Sequence, residues 1–132
     1  MKQKNTSQFE TEFPDGAVIT VGNDDSVFTD LVASLAEISK LEGVRGYILR
    51  SDTSAIIDLT EQERIIDYAI LSSQVSESSD EIAKQFNLTD IESVIVEGKT
   101  VKMLCMNKSR NQVSVFMDKT ATHDSIIKRI LQ

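Results

Sequence analysis

Tryptophan is absent from this 132-residue sequence, and its aromatic side chains amount to five Phe and two Tyr. A folded core must therefore be aliphatic, and a ligand pocket walled by rings is a poor expectation. One cysteine, Cys105, cannot form an internal disulfide, and one histidine, His123, excludes any site that needs two. No uninterrupted apolar run approaches the roughly 20 residues of a membrane span, and no charged-then-apolar leader opens the chain. A cytoplasmic protein without direct membrane insertion is expected. Basic residues are outnumbered, 14 Lys and Arg against 21 Asp and Glu, for a net charge of -7. That balance argues against nucleic acid or an anionic membrane as ligand and favours a basic or mixed protein surface. The N-x-[ST] triplets at Asn5, Asn87 and Asn107 are read as chance matches in a protein not expected to be secreted.

What is present suits one soluble domain, with 40% hydrophobic and 27% charged residues. A chain of this length can bury about two-thirds of its unfolded surface. Residues 1–25 form an acidic N-terminal tail with the only proline, Pro14, and are expected to be partly disordered or to add one extra strand at Ala17 to Val21. Residues 26–132 make up the domain. From Ser26 to Glu42, Phe28, Leu31, Val32, Leu35, Ile38 and Leu41 recur at helical spacing, and Gly43 provides a left-handed cap. Val44 to Arg50 is short and apolar, so it reads as a strand that turns through Ser51-Asp52-Thr53-Ser54 into a second strand, Ala55 to Leu59. Gly46 within the first strand has two readings: a tolerated glycine, or one over which something packs closely.

Thr60-Glu61-Gln62-Glu63 has the form of a capping box and predicts a long helix reaching Phe86, with Asn87 as its left-handed cap. Serines crowd its centre. Ala69, Ser72, Ser76, Ser79 and Ala83 fall on one small-residue stripe, which is either a solvated face or a surface for close helix-to-helix contact in a dimer. Three strands follow, Ile91 to Glu97, Val101 to Met106 and Gln112 to Met117, joined by hairpin turns at Gly98-Lys99 and Lys108-Ser109-Arg110-Asn111. Val94-Ile95-Val96 and Met103-Leu104-Cys105-Met106 are apolar on both faces, which predicts a sheet covered on both sides. A last short helix carries Ile126, Ile127, Ile130 and Leu131 inward, with Lys128 and Arg129 near its C-terminus, where the helix dipole favours cations. The predicted order is α-β-β-α-β-β-β-α, an α+β fold.

Catalytic and cofactor chemistry finds no ingredients in this order. Glu97-Gly98-Lys99-Thr100 ends like a phosphate loop, but Ser93 stands where the first glycine belongs, and a strand follows where a helix N-terminus is needed. His123 is expected in a first helical turn at the surface, and Cys105 as an inert core thiol. The acids Glu61, Glu63, Asp67, Glu77, Asp80 and Glu81 lack the spacing of a calcium loop. No enzyme, metal or cofactor is expected.

Leu41-Glu42-Gly43-Val44-Arg45-Gly46-Tyr47-Ile48-Leu49, the run Ile91-Glu92-Ser93-Val94-Ile95-Val96-Glu97-Gly98 and the closing Asp118-Lys119-Thr120-Ala121 resemble the Roadblock family. This is the small domain of Roadblock-type dynein light chains and of many archaeal and bacterial proteins. The resemblance spans about Ser26 to Leu131; the serine-rich helix centre departs from the more alanine-rich look of many members. It implies a five-stranded antiparallel sheet between one long helix and two short ones. It also implies a homodimer made by pairing the strand after the long helix and laying the long helices side by side, with Ala69, Ser72, Ser76, Ser79, Ala83, Ile91, Ser93 and Ile95 at the interface. The function implied is a non-enzymatic regulatory or scaffold module that binds a small Ras-like GTPase and modulates its nucleotide cycle. A pure dimerisation scaffold is the alternative, followed by a small-ligand sensor with a pocket between sheet and long helix.

Overall fold

A computed structural model describes residues 9–12, 18–21, 25–89 and 91–132. Strands β1 (Phe9–Glu12) and β2 (Val18–Val21) pair as an antiparallel hairpin. The sequence reading placed one strand there and missed its partner, because Phe9-Glu10-Thr11-Glu12 is too short and acidic to stand out. The remaining elements are α1 (Asp25–Ile38), β3 (Val44–Arg50), β4 (Ala55–Leu59), a 3-10 turn at Gln62–Arg64, α2 (Ile65–Gln85), β5 (Ser93–Glu97), β6 (Val101–Lys108), β7 (Asn111–Asp118) and α3 (His123–Leu131). From α1 onward this is the predicted α-β-β-α-β-β-β-α order.

Strands β3 to β7 form one antiparallel sheet in the order β4-β3-β7-β6-β5. Alternation along each strand sends side chains to opposite faces. On one face Leu31, Leu35 and Ile38 of α1 and Ile126 and Ile130 of α3 pack with Leu49, Leu104, Val113 and Val115. The other face packs Tyr68 of α2 against Ile48, Leu59, Met103, Cys105 and Phe116. Each fully buried aliphatic side chain contributes about 1.5–3 kcal/mol, so both helical layers hold the sheet between them.

Several local details depart from the sequence reading. Helix α1 stops at Ile38, four residues early; tightened i to i-3 bonds, Lys40 N–H to Glu37 and Leu41 N–H to Ile38, carry the chain to Gly43, whose φ of 87° completes the turn. The capping box does not form. Thr60 donates both its N–H and its hydroxyl to the carbonyl of Arg45, each at 2.9 Å, so its N–H is not available to the Glu63 carboxylate, and α2 begins at Ile65. At the other end Asn87 does adopt the left-handed conformation (φ 57°), and the Leu88 N–H returns to Ala83 at 2.9 Å, closing a Schellman-type cap. Strands β6 and β7 run further than expected and meet at Ser109-Arg110, both at positive φ, as in a two-residue type I′ hairpin.

Gly46 is required by a close approach. Its φ is 141°, and a Cβ there would lie 2.1 Å from the Asp58 carbonyl oxygen and 2.7 Å from Leu59 Cα. The register with β7 shifts between Val44 and Gly46, which leaves Arg45 as the extra residue of a bulge.

Candidate interaction surface

The bulge aims Arg45 across the end of the sheet. Its guanidinium donates to Asp118 Oδ1 at 2.7 Å and Glu61 Oε1 at 3.1 Å, while its carbonyl receives both bonds from Thr60. One side chain thereby ties β3, the end of β7 and the entry to α2. The Asp118 hydrogen bond is the main cause holding this guanidinium above its ordinary pKa, so it stays charged.

The serine stripe of α2 faces its own sheet. Ser72 is 2% exposed, and its hydroxyl lies 2.6 Å from the Ser114 hydroxyl of β7. Ser79 is also buried and donates to the Val75 carbonyl, whereas half-buried Ser76 accepts from Gln112, itself bonded to Arg50. Ala69 and Ala83 are half-buried along the same stripe. Ser72 and Ser79 are thus buried within this chain, and the small side chain at 72 lets α2 settle close enough to the sheet for serine-to-serine bonding with Ser114. Between the layers lies a cavity of about 20 Å³, lined by Ser72, Ser79, Cys105 and Ser114 among others and sized for about one water. Cys105 Sγ is 3.5 Å from the Ser114 hydroxyl, and burial pushes its thiol pKa up.

The outward features lie elsewhere. Among the described residues strand β5 is an edge, paired only with β6, so one row of its backbone groups faces away from the sheet. Ile95 at its centre is 36% exposed, with Ser93 and Ile91 half-buried nearby. Ile82, Phe86 and Leu88 protrude from the C-terminal end of α2, Phe86 being 69% exposed, and Ile66 and Ile70 stand out near its start. The sequence reading missed this apolar end, since Phe86 falls on the inward helical azimuth; the helix simply outruns the sheet beneath it. At the opposite end, between the start of α2 and the β5–β6 turn, a cleft of about 400 Å³ opens. Its floor holds Leu71, Val96, Met103 and the parallel-stacked rings of Tyr68 and Phe116, 4.3 Å between centroids. Arg64 lies over the Tyr68 ring at 5.2 Å, and the rim carries mixed charge, Arg64 and Lys99 beside Glu61 and Glu97.

Gly98 and Lys99 occupy the β5–β6 hairpin turn, where the Gly98 N–H donates to the Val101 carbonyl at 2.8 Å. That geometry offers no helix N-terminus to a phosphate. His123 opens α3 as expected but is half-buried, its Nδ1 2.9 Å from the Nζ of buried Lys102. Among the described residues no three of His, Cys, Asp and Glu gather as a metal site, and no helix is long and apolar enough to cross a membrane.

No family model matches the sequence, and no curated protein matches it. Solved structures do match its fold. Myxococcus xanthus MglB superposes with a TM-score of 0.64 at 18% identity, over 79% of this chain and 81% of that one. The Roadblock/LC7 domain from Streptomyces avermitilis gives 0.61 at 13% identity, over 78% and 87% of the two chains. The fold is that of a Roadblock-type domain. A third such structure, the gliding protein mglB from Thermus thermophilus, gives 0.60 at 14% identity, over 79% and 82%. At these identities the Roadblock likeness is one of fold.

Proposed function

We propose that this Roadblock-type domain is a homodimeric regulatory module, without catalysis of its own, that binds a small Ras-like GTPase and modulates its nucleotide cycle. The observation that carries the reading is the unpaired β5 edge flanked by Ile95 and by the protruding apolar end of α2. An open edge beside exposed apolar side chains is a place for strand addition, and a second copy offers the same edge in return. The MglB structures among those sharing this fold support a GTPase-linked role by analogy. A dimer would present a composite face of two long helices and a continuous sheet. Electrostatics across such a face would chiefly set association rate and specificity.

A pure scaffold is the second reading, and it rests on the same edge. A turnover assay separates the two. Small GTPases from the same cell are followed for nucleotide release and hydrolysis with and without this protein. A changed rate supports regulation, binding without a changed rate supports the scaffold, and no binding to any GTPase contradicts the proposal. The sensor reading would have to use the open cleft of about 400 Å³ beside the start of α2, because the space enclosed further along between sheet and α2 is only about 20 Å³.

A further inference from the structure

We infer that Phe86 of one copy seats in the cleft at the start of α2 of a second copy, so that the two copies interlock reciprocally. This rests on the dimer proposed above and names the contact that closes it. Antiparallel continuation of a sheet across two β5 edges has a two-fold axis perpendicular to the sheet, which keeps both α2 helices on one face. Helix α2 runs antiparallel to β5: its start, Arg64 to Leu71, shares a cleft with Val96 and Glu97 at the end of that strand, while Ser76 and Ser79 line a cavity with Ile91 and Val94. The axis therefore carries the C-terminal end of one α2 towards the N-terminal end of the other. One end of the helix bears a protrusion, Phe86 with Ile82, and the other bears a cleft of about 400 Å³ floored by Leu71, Val96 and the Tyr68–Phe116 pair.

Charge follows the same reciprocity. With the axis at Ile95, the middle of β5, each Ser93 lies opposite the second copy's Glu97, and Glu92 falls beside the second copy's Gly98 and Lys99. Lys99 and Arg64 on the cleft rim, beside Glu61, Glu97 and the Asp67 that pairs with Arg64, would then face a helix end that carries Asp80, Glu81 and the nearby Glu92 against Lys84, an acidic balance. Like charges are not brought together along the strand. The two Ile95 side chains, exposed in a single copy, cover one another on the face occupied by α1 and α3.

Cysteine pairing tests the seat directly. Arg64→Cys and Phe86→Cys both alter exposed side chains, and within one chain these positions are about 33 Å apart along the helix. Native Cys105 is buried, and the wild type serves as the control. The two single variants are co-expressed and treated with a short bis-maleimide, while each alone is treated in parallel and the wild type is weighed by light scattering. Cross-linked pairs from the mixture, and none from either variant alone, are expected. Cross-linking of Phe86→Cys with itself would place the helix ends together and overturn the interlock. A wild-type dimer without mixed cross-links would overturn the interlock and leave the dimer standing; a wild-type monomer would remove both. Phe86→Ser should retain its circular dichroism spectrum and weaken self-association about ten-fold or more, as expected for a buried aromatic anchor; unchanged association would also overturn the inference.

Discussion

The hydroxyls of Ser72 on α2 and Ser114 on β7 stand 2.6 Å apart with both residues almost wholly buried, which pins the long helix to the middle of the sheet. Removing the Ser72 hydroxyl leaves that of Ser114 with the Cys105 sulfur, at 3.5 Å, as a polar neighbour. Ser72→Ala should therefore cost about 1–3 kcal/mol, and the Ser72→Ala/Ser114→Ala pair clearly less than the sum of the two singles. Urea titration of the four proteins measures the cycle, and strict additivity would deny the bond.

Gly46→Ala should be among the most damaging single substitutions in the chain. The new methyl group meets backbone atoms of β4 at 2.1 and 2.7 Å, which no side-chain rotation relieves, at a φ that L-residues rarely adopt. A loss of about 3 kcal/mol or more in urea, or failure to fold, is expected. A loss below 1 kcal/mol on that ~3 kcal/mol scale would mean that the bulge at Arg45 relaxes easily.

Cys105 and Tyr47 give the fold an alkaline limit. Burial is the main cause raising both pKa values, from ordinary values of 9.0 and 10.0, with the Asp58 carboxylate adding to the effect on Tyr47. The folded protein holds these protons to higher pH than the unfolded chain does. Their contribution is complete below about pH 9 and is lost as pH rises through the folded pKa values, so stability should fall on the alkaline side. Cys105→Ala should delay that fall. In the native protein at neutral pH, Cys105 should resist thiol reagents until unfolding exposes it.

Much of this was legible because strands and stops leave local signals. Gly43, the apolar runs from Val44 and Val101, and the turn residues between them fixed the strand order, and Asn87 marked the end of α2. Direction was harder. A stripe of alternating Ser and Ala has no hydrophobic signature to say whether it meets water, a partner or its own sheet, and the decision came from Ser114, far away in sequence. Thr60 failed as a cap for a similar reason: a distant carbonyl, that of Arg45, took the N–H that the Glu63 carboxylate would have accepted. The apolar end of α2 escaped notice because periodicity cannot show where the sheet beneath a helix runs out.

The Gly98-Lys99 pair makes a further prediction. Held in a hairpin turn, its amides do not converge on a phosphate, so calorimetry with GTP or ATP and magnesium should detect no sub-micromolar binding. Affinity of that order for either nucleotide would require a site the hairpin does not supply.

The central claim is that partner binding needs the paired β5 edge. Its most direct measurement is a titration of small Ras-like GTPases from the same cell with wild type and with Ile95→Lys, after light scattering and circular dichroism have established the mass and fold of each. A charge at Ile95 should leave the fold intact, since the residue is 36% exposed, and should separate the copies. The account predicts that the wild type is a dimer that binds a GTPase and that the folded, monomeric Ile95→Lys variant does not; a monomeric variant that binds as tightly as the wild-type dimer would contradict it.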